Sequence, residues 1–155
     1  MKMNSIKLVA TLFPLGLLIL GACGVEGSSF LISDSQEAEI GAEVHQEVIV
    51  EYPIFEDSTV QAWVDNLGNR IATASASERD GGQYWFWVLD SDIVNAFAAP
   101  GGYIYLTRGL IMEADTEAEV AGVMAHEVGH VAHRHGVAKL ERAVAAGLIS
   151  DIIFG

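Results

Sequence analysis

Cysteine is nearly missing from this chain: there is one, Cys23, in 155 residues. A lone thiol excludes an internal disulfide framework and any site built from several cysteines. Basic residues are scarce too, 8 Lys and Arg against 21 Asp and Glu, for a formal charge of −13. A surface of that sign repels phosphate backbones, which excludes nucleic acid as a partner. No internal repeat or low-complexity tract is visible, and the length suits one domain. The three prolines, Pro14, Pro53 and Pro100, all stand at breaks in regular patterns.

Apolar length is also limited. Leu8–Leu20 is a thirteen-residue apolar stretch interrupted by Pro14 and Gly16, whereas a bilayer span needs about 20 residues. Preceded by Lys2 and Lys7, it reads as the h-region of a secretory signal. Leu20-Gly21-Ala22-Cys23 then resembles a bacterial lipobox, with cleavage before Cys23 and lipid attached to it. The competing reading is an ordinary signal peptide with a chance cysteine. Lipidation would hold the domain at a membrane surface without making it span one. Gly24 after the cysteine resembles a signal for the outer membrane, facing the periplasm, if the host has two membranes. Losing Lys2 and Lys7 with the leader takes the basic count from 8 to 6 and the charge from −13 to −15.

The domain organisation expected is a signal peptide over 1–22, a tether over 23–33 and a metallopeptidase-like domain over 34–155. Ile40, Val44 and Val48 recur at helical spacing up to about Val50, where Tyr52-Pro53 stops the helix. Asp57-Ser58 opens a second helix through Val60, Trp63, Val64, Leu67 and Ile71, fading near Ala76. Tyr84–Asp90, rich in aromatics, reads as a strand, either buried under helices or serving as a ligand platform. Asn95–Gly102 breaks the regular pattern, and Tyr103–Thr107 reads as a strand entered through a Pro-Gly-Gly hairpin turn. Asp115-Thr116 starts a helix running to about His135 and stopped by Gly136. A last, apolar helix covers Val137 to about Ile153. The fold class expected is α+β, with helices around a small mixed or antiparallel sheet.

The chemistry lies in the third of these helices. His126-Glu127-Val128-Gly129-His130 spells H-E-x-x-H. Four residues on a helix are 40° apart around the axis and ~6 Å along it, so both imidazoles can reach one ion. Glu127 lies about 100° from His126, beside that ion, where a carboxylate can act as general base. Gly129 offers room for close packing. His133 shares the face but lies ~10 Å along the axis from His126, too far to join the same ion. His135 falls on the opposite face and reads as structural. His45 reads as a surface or interhelical residue.

Around the pentapeptide, Asn95-Ala96-Phe97-Ala98-Ala99-Pro100-Gly101-Gly102-Tyr103-Ile104-Tyr105, Arg108-Gly109-Leu110, Glu117-Ala118-Glu119 and Arg134-His135 complete a larger pattern. Over residues 95–136 the chain resembles the HtpX, BepA and CAAX-prenyl-protease type of zinc metallopeptidase, in its lipoprotein branch. That resemblance implies a gluzincin-type zincin fold and one Zn2+ per chain, with His126 and His130 as ligands and Glu127 as catalytic base. It implies proteolysis of misfolded or membrane-associated envelope proteins, that is, protein quality control. It also implies that an extended protein or peptide substrate adds to a strand near Asn95 and Ala96; the competing reading of Asn95 is a turn residue.

The family's third ligand is a glutamate on a later helix, in an E-x-x-A-D-like motif. Between Gly136 and Gly155 only Glu141 and Asp151 are acidic, and neither has that context. The sequence therefore reads as the front part of such an enzyme. The alternative function is a catalytically incomplete envelope lipoprotein with a binding or chaperone-like role.

Overall fold

The computed structural model describes residues 31–75 and 82–146. The leader, Cys23 and Asp151 lie outside them. Helix α1 (Asp34–Glu51) opens on a capping box. Ser33 Oγ accepts from the Gln36 N–H while Gln36 Oε1 accepts from the Ser33 N–H, which satisfies two orphan donors at once. Ile32, at the end of the stretch read as tether, is buried. Its N–H and that of Leu31 bond the Glu141 carboxylate at 3.0 and 2.9 Å. Helix α2 (Ser58–Ala74) is capped by Asp57, which accepts from Thr59 and Val60 N–H groups. Both helices follow the spans that periodicity predicts.

Three strands follow: β1 (Trp85–Leu89), β2 (Ala96–Ala99) and β3 (Tyr103–Thr107). Their order is β1-β3-β2, with β1 parallel and β2 antiparallel to β3, so the sheet is mixed. Strand β2 corrects the reading of Asn95–Gly102 as a pattern break. Three of its four residues are alanines, which carry little strand propensity, and pairing with β3 is what makes it a strand. The turn at Pro100–Gly102 closes this hairpin, with Gly101 and Gly102 at φ 76° and 91°, where a side chain would be strained.

Thr107 then caps a short helix, α3 (Arg108–Glu113), which the sequence analysis does not contain. Helix α4 (Glu117–Ala132) starts at the Thr116 cap as expected but ends three residues before His135. Arg134 at φ 52° breaks it, because a left-handed residue cannot continue a right-handed helix. Helix α5 (His135–Ala145) begins at once, so Gly136 lies inside a helix instead of stopping one.

Alternation along the strands divides the core into two faces. Phe86, Val88, Ile104 and Leu106 pack against Val64 and Leu67 of α2 and Val120, Met124 and Val128 of α4. Leu89, Ala99 and Tyr105 pack under Val44 of α1. Each fully buried aliphatic side chain here is worth ~1.5–3 kcal/mol against exposure. The aromatic strand β1 is thus mainly a packing element, although Trp85 is exposed.

His45 differs from expectation. It is buried on the sheet, stacked on Tyr103 at 4.9 Å and tilted on Trp87 at 4.7 Å, with Nδ1 3.0 Å from the Tyr105 hydroxyl. The i, i+4 row of Ile40, Val44 and Val48 faces the sheet, and His45 follows Val44 on that buried side.

Candidate active site

Helix α4 carries all three residues of the motif. Its hydrophobic stripe, Val120, Met124, Val128 and Val131, packs into the core, which fixes the rotation of the opposite face. His126 is therefore exposed, His130 half-buried and Glu127 buried. The Nε2 atoms of His126 and His130 lie 3.1 Å apart, with the rings edge to face. Two nitrogens bound to zinc at ~2.0–2.1 Å and a tetrahedral angle are about 3.3–3.4 Å apart. The pair therefore fits two corners of a zinc tetrahedron. Among the described residues, no group of three His, Cys, Asp or Glu side chains converges on one ion.

Burial pushes the His130 pKa below its ordinary value, and neighbouring positive charge at His126, His135, His133 and Lys139 acts in the same direction. A neutral imidazole is the form that ligates metal. Glu127 moves the other way. Burial raises its carboxyl, offset in part by His126 and by a hydrogen bond from the Ala98 backbone N–H. A raised carboxylate pKa suits a base that must take up a proton and give it back.

The strand register explains why the Ala98 N–H is on the side of Glu127. Asn95 O accepts from the Thr107 N–H at 3.0 Å, so in the antiparallel alternation Phe97 and Ala99 also face β3. Ala96 and Ala98 direct their N–H and C=O groups to the outer edge, beside α4. Asn95 itself faces inward: its N–H bonds Thr107 Oγ1 at 3.1 Å, so both of its backbone groups are engaged on β3.

The residue families assembled here have known counterparts. Residues 58–154 match the model of peptidase family M48. The chain belongs to that family. A putative beta-barrel assembly-enhancing protease of Vibrio cholerae is 42% identical over 89 residues, 57% of this chain and 18% of that protein. The beta-barrel assembly-enhancing protease of Escherichia coli is 31% identical over 104 residues, 67% of this chain and 21% of that protein. A protease HtpX homolog of Acidiphilium cryptum is 41% identical over 70 residues, 43% of this chain and 24% of that protein. The chain spans about a fifth of the length of the curated relatives it matches.

Within this M48 chain, two sequence readings need correction. His135 is not on a remote face: its Nδ1 lies 2.7 Å from His130 Nδ1. The helical wheel misplaced it because α4 ends before it. His133 stacks on His135 at 5.5 Å. Gly129 allows no close packing either, since a Cβ there would meet nothing within 4 Å.

Proposed function

We propose that this M48 chain carries the ligand helix and general base of a zinc-dependent metalloendopeptidase of the bacterial cell envelope, acting on misfolded or membrane-associated proteins. The observation that carries the reading is the 3.1 Å approach of His126 Nε2 to His130 Nε2 beside the buried Glu127. His126 and His130 would hold the metal, together with a donor from outside the described residues. When bound, Zn2+ supplies Lewis acidity to the scissile carbonyl and lowers the pKa of water. Glu127 takes the proton of the attacking water and passes it to the leaving amine.

An extended substrate would lie along β2 by strand addition. The outward N–H and C=O of Ala96 and the C=O of Ala98 would pair with it, the Ala98 N–H being directed at Glu127, and Asn95 would contribute through its side chain alone. Cys23, lipidated, would anchor the domain to the membrane. Among the described residues no helix is long and apolar enough to cross one.

The test is zinc titration of the chain beside His126→Ala, with cleavage of an unfolded envelope protein and membrane fractionation of Cys23→Ser. The expected result is one zinc per chain, weakened in His126→Ala. Chelator-sensitive cleavage should vanish in Glu127→Gln while zinc stays bound, and Cys23→Ser should leave the membrane fraction. Zinc affinity indifferent to His126 would refute the site. Client binding without cleavage, unchanged in both site variants, would establish the alternative of a binding lipoprotein.

A further inference from the structure

We infer that His135 is a positioning residue for the metal site, accepting a hydrogen bond from His130 Nδ1–H and thereby turning the His130 Nε2 lone pair toward the metal position. The inference rests on the zinc reading above. It starts from a geometry that the sequence motif does not contain: His130 Nδ1 and His135 Nδ1 are 2.7 Å apart. Two ring nitrogens that close must be one donor and one acceptor. His130 Nε2 already faces His126 Nε2 at 3.1 Å. A proton on His130 Nδ1 leaves Nε2 as a lone pair, which is the ligating form. His135 then accepts at Nδ1 and carries its own proton on Nε2. Metal-ligating histidines generally donate their second ring N–H to an acceptor, usually a carboxylate, backbone carbonyl or water, which fixes tautomer and ring orientation; here the His135 imidazole takes that place.

The fold places His135 by a specific device. Arg134 adopts the left-handed conformation at φ 52°, so the path of α4 breaks there and α5 begins with His135, whose ring meets His130 in the last turn of α4. A non-glycine residue there is disfavoured, and contacts to the start of α1 offset it. The Arg134 guanidinium meets the buried Glu37 carboxylate at 2.8 Å, Asp34 at 3.1 Å and the Ile32 carbonyl at 3.1 Å. Glu37 in turn accepts from the Gly101 N–H at 3.0 Å, in the hairpin turn after β2. One carboxylate therefore locks the turn that presents His135 and the turn that ends the candidate substrate strand.

The test uses the full chain with 15N-labelled histidine, in His135→Ala and His135→Asn. The asparagine amide oxygen can accept at nearly the position of His135 Nδ1. Without metal, the His130 15N shifts should report Nδ1–H in the parent, a mixed tautomer in His135→Ala and Nδ1–H again in His135→Asn. Zinc affinity should fall 10–100-fold in His135→Ala and return to within a few-fold in His135→Asn. A His130 tautomer that is the same in all three chains overturns the inference. So does a loss of zinc affinity that His135→Asn fails to restore, because a purely structural role would not distinguish the variants by hydrogen-bond acceptance. If the parent binds no zinc while the tautomer follows acceptance, the zinc reading fails and the orienting bond stands.

Discussion

Two helical glycines are expected to respond to alanine in opposite directions. A Cβ at Gly41 in α1 would sit 2.3 Å from the Pro100 carbonyl oxygen, backbone against backbone, with no flexible end to yield. Gly41→Ala should therefore destabilise by about 1–3 kcal/mol, in line with overpacking. A Cβ at Gly129 meets nothing within 4 Å, and alanine is a better helix former by up to ~1 kcal/mol. Gly129→Ala should stabilise by up to that amount. Urea denaturation of the two variants checks both signs. At this scale the sequence revealed the motif itself, because His126 and His130 need only helical spacing to meet. It did not reveal His135, whose position depends on the conformation of Arg134.

The sheet has two edges, and they are finished differently. Along β1, the Gln61 side chain acts as a strand of one residue: its amide nitrogen donates to the Phe86 carbonyl at 2.9 Å, and its amide oxygen accepts from the Val88 N–H at 3.2 Å. The Phe55 N–H and Pro53 carbonyl close the rest of that edge on Val88 and Asp90. Along β2, the outward groups of Ala96 and Ala98 lie beside α4. Gln61→Ala should cost roughly 1 kcal/mol, the lower end for losing partly buried hydrogen bonds. It should also speed hydrogen exchange at the Val88 amide relative to Leu106. A Val88 amide that keeps its protection would show that water or another group replaces Gln61. Elements with strong local patterns, α1, α2, β1, β3 and the start of α4, were legible in the sequence. Strand β2 and helix α3 were not, since four alanine-rich residues and six short-helix residues carry little periodic signal of their own.

For the molecule as a whole, His45 couples the seating of α1 on the sheet to pH. Burial raises the Tyr105 hydroxyl pKa well above its ordinary 10, so that hydroxyl stays protonated, and it shares a 3.0 Å hydrogen bond with His45 Nδ1. Burial also depresses the His45 pKa below 6.5. The folded state then binds this proton more weakly than the unfolded chain does. The stability it confers is complete above pH 6.5 and is lost as pH falls from there through the folded value. Melting temperature should decline over that window in the parent and decline less in His45→Gln. An identical decline in both would assign the acid sensitivity to other groups.

Sequence by itself determined what local spacing can encode: the H-E-x-x-H helix, the helix start at Asp57-Ser58, the chain's acidity, and the α+β class, whereas the cap of α1 at Ser33 fell inside the stretch read as tether. Its resemblance over residues 95–136 agrees with the M48 family match. Only the tertiary structure decided that β1 runs parallel to β3, that the outer edge of β2 is formed by Ala96 and Ala98, and that the Ala98 N–H is directed at Glu127. It also decided that His135 reaches His130. Each of these depends on groups far apart in the chain, or on one backbone angle at Arg134, and no periodicity records either.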